Sequence, residues 1–382
     1  MNILSRTGNQ IHPNNNSRVR GGFYNLRPFM DNRKKNIIYS IVLMAAILVV
    51  YYYRKNNTQQ EPMRLEGATM GTTYHITYFD DRKRSFQREV DSLLVMVNKS
   101  INNYDSTSEV SRFNRSRRGV KVELPYLLPP LEISKKVYEA SGGAFDPTVM
   151  PLVNAWGFGP GKRLDPDTAF IDSVKTFIGF NRVTLSRDSI TKNDPRVQLD
   201  FGGIGQGWGA DVITDFLRSK GIKHMLVEVG GEGMAVGINL QSGKPWYLGI
   251  LDPNSTRENQ FFKAYVSISD RSFTTSGSYF NYHVVDGVKY SHTIDPATGY
   301  PARKALLSAS VFAPDATTAD VWGTALMSMG HERAIELLPS HSEIDVFLIY
   351  SGEDGQLQTY VTEGLKPYLT IEGEQTTSIE GQ

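Results

Sequence analysis

Leu199-Asp200-Phe201-Gly202-Gly203-Ile204-Gly205-Gln206-Gly207-Trp208-Gly209-Ala210-Asp211 is the stretch on which the reading of this chain turns. The residues leading into it, Arg196–Phe201, are predicted to form a strand that ends at Asp200. A glycine-rich loop follows, and Gly207–Gly221 is predicted to be a helix. Glycine lets a backbone approach another group closely, and a helix N-terminus offers unpaired N–H groups and the positive end of a dipole. That combination suits a phosphate. The spacing is not GxGxxG, however, and an acidic residue beside a phosphate repels it unless a cation intervenes. Taken alone, a tight strand-to-helix turn explains the stretch equally well.

To either side, from Leu65 to about Ile371, strand-like and helix-like patterns alternate without a Pro/Ser-rich break. Gly67–Tyr78 ends in strand alternation. Phe86–Asn103 is predicted helical from Val90, Leu93, Leu94 and Val97, and Pro129–Ser141 is a second helix stopped by Gly142-Gly143. Strands are predicted at Lys223–Val229, Trp246–Leu251, Ala264–Ile268, Lys289–Ile294, Ala305–Phe312 and Asp345–Tyr350. Further helices are predicted at Thr318–Met329 and His331–Leu338. Antiparallel-looking strands with separated helices argue for α+β rather than a doubly wound sheet.

The chain has 382 residues, 40% hydrophobic and 21% charged, an ordinary globular balance. A net charge of +1 offers no broad basic field, so nucleic acid is not an expected partner. Cysteine is absent, which excludes disulfides, thiolate metal sites and a cysteine nucleophile. Any metal must sit on oxygen or imidazole, which favours magnesium or calcium. Residues 1–36 are polar, basic and Asn-rich and read as a disordered cytoplasmic tail. Residues 37–53 (IIYSIVLMAAILVVYYY) carry no charge and read as a short transmembrane anchor. Arg33, Lys34 and Lys35 precede it, and Tyr51, Tyr52 and Tyr53 close it like an interfacial belt. The greater positive charge before the run places the main domain outside the cytoplasmic membrane, as a single-pass protein facing the periplasm or exterior. A cleaved signal peptide is the rival, but Arg54-Lys55-Asn56-Asn57 follows where small residues would be expected. The domains expected are the tail, the anchor, a linker (54–64), a catalytic domain (65–371) and a flexible tail (372–382).

Three further segments carry possible chemistry. Val227–Gly237 (VEVGGEGMAVG) places a glycine-rich turn between two strands, which a plain hairpin also explains. Ser291–Pro301 (SHTIDPATGYP) puts His292 at a strand end beside a Pro/Gly turn, where proton transfer is feasible, although a lone histidine is more often structural. In Asp315–Leu326 (DATTADVWGTAL), Asp320 and Thr324 lie one helical turn apart on one face, so a carboxylate and a hydroxyl can share a hard cation. An N-terminal helix charge and a packed threonine explain that segment alone.

Taken together and in order, the segments resemble the FAD:protein FMN transferase (ApbE) family. They are MGTTY (Met70–Tyr74), YDSTSEVSRFN (Tyr104–Asn114), GGAFDPTVMPLVNAWGF (Gly142–Phe158), LDFGGIGQGWGAD (Leu199–Asp211), VEVGGE (Val227–Glu232), TTSGSY (Thr274–Tyr279), HTIDPATGYP (His292–Pro301) and TTADVWGTALMSMG (Thr317–Gly330). The resemblance implies an α+β catalytic unit of two similar lobes with the flavin in the cleft between them. It implies transfer of the FMN half of FAD onto a threonine hydroxyl of a target protein, with release of AMP. Targets of the family are usually extracytoplasmic redox proteins with a threonine acceptor motif.

The resemblance also assigns roles. Magnesium would sit on Asp320, Thr324 and the backbone carbonyl of Gly203, which answers the charge objection at the glycine-rich loop. His292 would be the general base. FAD contacts would come from Met70, Tyr104, Ala144, Phe145, Asp146, Asp200, Gln206 and Ile294. Many members carry lysine where this chain has Gln206; the amide keeps hydrogen bonding but loses the charge. Two alternatives share the same residues: an FAD pyrophosphatase with water as acceptor, and a non-catalytic FAD carrier.

Overall fold

This computed structural model describes residues 32–56, 60–164, 166–256, 258–277, 282–285, 288–291, 293–302 and 305–372, and the side chains of all of these except 32, 51–56, 282–285 and 288–291. Residues 1–58 and 59–382 are separate units. In the first, α1 (Asn32–Asn56) is one 25-residue helix. Neither glycine nor proline interrupts it, so it runs past both boundaries expected for the apolar segment: Asn32–Asn36 belong to the helix rather than to the tail, and Arg54–Asn56 belong to it rather than to a linker. Side chains from Ile37 to Val50 are largely exposed. Among the described residues no helix is long and apolar enough to cross a membrane; the side chains of Tyr51, Tyr52 and Tyr53 lie outside that description.

In the second unit, β1 (Met63–Thr69) and β2 (Thr72–Tyr78) form a hairpin about Met70-Gly71, both at positive φ. Then come α2 (Gln87–Ile101), α3 (Glu109–Arg115), β3 (Gly119–Lys121), α4 (Leu128–Ala140), α5 (Met150–Ala155), α6 (Thr168–Lys175), β4 (Val183–Ser186) and β5 (Ser189–Lys192). The central part holds α7 (Gly205–Ser219), β6 (Met225–Val229), β7 (Glu232–Val236), β8 (Trp246–Leu251), β9 (Phe262–Ile268) and β10 (Arg271–Gly277). The chain continues through β11 (Tyr282–Val285), β12 (Val288–Ser291), β13 (Leu306–Phe312), α8 (Ala316–Met329), α9 (His331–Leu337), β14 (Asp345–Ser351), β15 (Leu357–Val361) and β16 (Leu369–Ile371).

Eight strands form one sheet in the order β1-β2-β6-β7-β10-β13-β14-β15, and every neighbouring pair is antiparallel. The mixed helix-and-sheet class expected from the pattern therefore holds. Residues 59–382 form one compact unit, and the eight-stranded sheet runs through it. Its halves carry different helices, α7 against β6 and β7, and α8 against β10 and β13.

The alternation of apolar residues explains this layering. Tyr74, Ile76 and Tyr78 of β2 and Met225, Val227 and Val229 of β6 point to one face and pack on Leu94, Ile213 and Leu217 from α2 and α7. Twelve of the fourteen residues of α8 are buried. A helix apolar on all sides belongs in a core, and this one lies among Phe113, Leu131, Leu199 and Leu348.

One predicted strand is absent. In Arg196–Phe201 the described backbone makes a single bridge, between Gln198 and Val149. Side-chain amides take the place of a neighbouring strand. Leu199 N donates to Asn114 Oδ1 at 2.7 Å, and Leu199 O accepts from Asn103 Nδ2 and Asn114 Nδ2, both at 2.8 Å. Phe201 N donates to Asn103 Oδ1 at 2.9 Å, and Lys192 Nζ donates to Val197 O at 2.7 Å. The apolar alternation is real, with Val197 and Leu199 fully buried, but the hydrogen bonds go to two asparagines, a lysine and, from Asp200 N, the carbonyl of Pro147 rather than to a strand ladder. Similarly, β12 stops at Ser291, and Ile294 makes an isolated bridge to Pro301.

α7 and α8 cross closely at a glycine. A Cβ on Gly207 would lie 2.4 Å from the carbonyl oxygen of Ala316. Gly207→Ala is expected to destabilise the fold by roughly 2 kcal/mol or more, since the obstacle is backbone. At Gly205 an added Cβ meets only Ile101 Cδ1, at 3.6 Å, so Gly205→Ala should be neutral or stabilise by about 0.5–1 kcal/mol. Urea denaturation of the two variants checks the contrast.

Candidate active site

A cleft of about 690 Å³ opens where the glycine-rich loop, the start of α7 and Thr324 of α8 meet. That volume falls in the range of small-molecule sites. It is lined by every residue predicted to touch the flavin: Met70, Tyr104, Ala144, Phe145, Asp146, Asp200, Gln206 and Ile294. Gly203 and Thr324 line it as well. Asp320 lies behind this lining, bonded to the backbone of α7. His292 lies outside the described residues, although its neighbours Thr293 and Ile294 line the cleft.

Each residue is held by an identifiable local cause. Met70 has a φ of 50°, an uncommon region for a non-glycine residue, forced by the tight turn between β1 and β2. The turn brings its thioether beside Gly209 of α7. Gly142 and Gly143, both at positive φ, end α4 and turn the chain so that Ala144, Phe145 and Asp146 are buried in the wall. Asp146 Oδ1 accepts from Thr148 N at 2.8 Å and Thr148 Oγ1 at 2.7 Å. Tyr104 is 70% exposed and donates its hydroxyl hydrogen to Phe158 O at 2.9 Å, which leaves a ring standing free at the mouth.

The proposed cation ligands converge. Asp320 and Thr324 are one turn apart on α8. A Cβ on Gly203 would sit 2.4 Å from Thr324 Oγ1, so the loop backbone lies directly against that hydroxyl. Asp320 Oδ2 accepts from Gly207 N at 3.0 Å. Two acids without an assigned role in the sequence reading also matter here. Asp211 caps α8 from α7, accepting from Ala316 N and Thr317 N at 2.8 Å each and from Thr317 Oγ1 at 2.6 Å. Glu232, at the start of β7, comes close enough to Asp320 to feel its charge. The sequence signal for Asp211 was its position at the end of the glycine-rich motif, but a cap on a distant helix has no spacing signature. Asn114 was visible only as part of a motif, and Asn103 only as the last residue of a predicted helix.

Electrostatically the site is acidic. Burial pushes Asp146, Asp200 and Asp211 up to about 6, and Asp320 up to about 7, from 3.8. Burial, followed by the charge of Asp320, raises Glu232 well above the usual carboxylate range. Among the described residues the lining contains no lysine, arginine or histidine. Also among the described residues, no group of three or more His, Cys, Asp or Glu side chains is arranged to hold a metal. The predicted set is of another kind, one carboxylate, one hydroxyl and one carbonyl. Such an all-oxygen set suits a hard cation that keeps part of its shell for water and substrate oxygens. The residues present therefore fit magnesium.

These shifts fix a pH dependence. A carboxyl with a raised folded pKa binds its proton in the native state after the unfolded chain has released it, so stability falls as pH rises between the two values. For these four aspartates the window runs from about 3.8 to about 6–7. Asp80 and Asp194, lowered to about 2, act in the opposite sense, and their contribution is lost below 3.8. The thermal midpoint in chelator is expected to decline through the upper window; a midpoint that climbs across it contradicts the shifts.

The sequence profile of the ApbE family matches residues 70–348. An FAD:protein FMN transferase of Vibrio cholerae is 35% identical over 319 residues, covering 81% of this chain and 93% of the relative. The corresponding protein of Haemophilus influenzae is 33% identical over 312 residues, covering 76% and 87%. Among solved structures, the flavin transferase ApbE of Vibrio cholerae superposes with a TM-score of 0.73 at 35% identity, covering 81% of this chain and 99% of that one. The apo flavinyl transferase ApbE of Pseudomonas stutzeri gives 0.71 at 31% identity, covering 81% and 96%. Profile, sequence and fold agree over the same stretch that builds the cleft, and the chain belongs to the ApbE family.

Proposed function

We propose that this chain is an FAD:protein FMN transferase that moves FMN from FAD to a threonine hydroxyl of a target protein, with magnesium as cofactor. The observation that carries the reading is the meeting of Gly203, Thr324 and Asp320 beside the N-terminus of α7, in a cleft whose lining includes Asp146 and Asp200 and, among the described residues, no basic side chain. A pyrophosphate entering such a cleft needs a cation beside it. The relatives named FAD:protein FMN transferase support the same reaction.

The roles follow from the chemistry of the side chains. Asp320, Thr324 and the Gly203 carbonyl would hold magnesium, which when bound neutralises charge on the pyrophosphate. The positive end of the α7 dipole would face phosphate oxygens, although the amides of Gly205 and Gly207 are already bonded to Phe201 O and Asp320 Oδ2. Met70, Phe145 and Tyr104 offer a thioether and two aromatic faces for flat rings. Buried Asp146 can accept a hydrogen bond from a ring N–H or an amine. Gln206 hydrogen-bonds without charge, which leaves charge neutralisation to the cation. His292 would take the proton from the acceptor hydroxyl, which is a weak nucleophile at neutral pH.

The anchor belongs to the same proposal. A 25-residue helix with exposed apolar side chains, preceded by Arg33, Lys34 and Lys35, supports a single-pass protein whose catalytic domain faces outward and meets extracytoplasmic redox proteins. In right-side-out spheroplasts, added protease should degrade residues 59–382. A protected catalytic domain rules out the outward topology.

The reaction is tested by incubating the protein with FAD, magnesium and a peptide bearing a threonine acceptor motif, then weighing the products. The expected outcome is peptide mass increased by FMN, with AMP released. FMN and AMP formed at the same rate without peptide identify a hydrolase instead. His292→Ala should slow transfer by about 10²–10⁴-fold while FAD still binds. Chelation or Asp320→Asn should stop turnover, and metal-independent transfer rules out the cation site.

A further inference from the structure

Glu232 opens β7 directly after the Gly230-Gly231 turn, and none of the roles above uses it. Its Oε1 accepts a long hydrogen bond, 3.4 Å, from Thr274 Oγ1 of β10. Its Oε2 is buried and has no hydrogen-bond partner among the described residues. A buried carboxylate oxygen without a donor is destabilising, more so than a neutral group, so its presence calls for a partner outside the protein's own side chains.

The neighbours of Oε2 indicate where that partner lies. A Cβ built on Gly230 would meet Glu232 Oε2 at 3.3 Å and Gln206 Cγ at 3.0 Å, so both side chains crowd the same point of the turn. Gln206 lines the cleft, and the next residue, Gly207, donates to Asp320. Elements β7, β10, α7 and α8 thus close around one small space that contains two carboxyl groups. Among the described residues, neither carboxyl forms a hydrogen bond with a basic side chain. Hard cations such as magnesium retain several waters, and groups that hydrogen-bond a metal's ligands set affinity nearly as strongly as the ligands do.

We propose that Glu232 is a positioning residue of the cation site: its free Oε2 accepts a hydrogen bond from water carried by the divalent cation held on Asp320, Thr324 and Gly203. This rests on the cation reading given above. Mn²⁺ serves as the probe, because the free ion is counted directly by electron paramagnetic resonance. The full-length protein and its Glu232→Gln, Glu232→Asp and Asp320→Asn variants are titrated, and the thermal midpoint of each is taken in chelator. Glu232→Gln should weaken Mn²⁺ binding by about 10–100-fold. Glu232→Asp, which keeps the charge but is one methylene shorter, should weaken it less. Neither should lower the metal-free midpoint, which a purely structural role would lower. Wild-type Mn²⁺ affinity in folded Glu232→Gln overturns the proposal. Should that variant fail to fold, wild-type affinity in folded Glu232→Asp overturns it equally. If Asp320→Asn loses Mn²⁺ while the Glu232 variants keep it, the cation site stands and only the role of Glu232 falls. If the wild-type protein binds no Mn²⁺, the cation reading itself falls.

Discussion

At Gly207 the backbone of α7 presses on the carbonyl of Ala316, leaving no room for a side chain. That approach depends on two further contacts between the same helices. Asp211 of α7 caps the first turn of α8, and Asp320 of α8 accepts the N–H of Gly207. The glycines at 205, 207 and 209 weaken α7 as an isolated helix. They are tolerated because tertiary packing, not propensity, holds it against α8 and the sheet. From this crossing comes the contact between Gly203 and Thr324, and with it the geometry of the cleft.

A second consequence is electrostatic. Placing Asp211, Asp320 and Glu232 between packed helices and a sheet raises each acid, because water is excluded and basic partners are missing among the described residues. Such an arrangement is poor for stability and good for binding a small cation. Asp80 with Arg84 and Asp194 with Arg196 are instead paired nearer the surface, and their carboxyls are lowered. The two groups of acids are distinguished by burial and partner, and one composition supplies both.

Much of this was legible in the residues. Helical spacing located α2, α4, α8 and α9 to within a few residues, and alternation located β6, β8 and β14, because each buries one face or lies wholly in the core. The ordered motifs brought Met70, Tyr104, Asp146, Asp200, Gln206 and Thr324 to one cleft. Arg196–Phe201 misled because alternation reports which side chains are buried and is silent about what satisfies the backbone. The ends of α1 misled because charge and polarity were read as breaks, although Arg, Lys and Asn continue a helix readily when no proline or glycine intervenes. Asp211 and Glu232 could not be assigned because their roles depend on partners more than 80 residues away, at Thr317 and Asp320.

The asparagine clamp on Leu199 and Phe201 has a kinetic meaning of its own. Central strands of the main sheet are bonded on both sides, so their amides are released only when a ladder opens. The segment leading into the glycine-rich loop is instead held by the side chains of Asn103, Asn114 and Lys192, with the backbone of Pro147 and Val149 as its other partners. Its opening breaks those bonds and exposes Val197, Leu199 and Phe201 without opening the ladders of the main sheet, so its free energy is separate from that of global unfolding. The glycine-rich loop that lines the cleft is thereby held by a clamp distinct from the ladders of the scaffold around it.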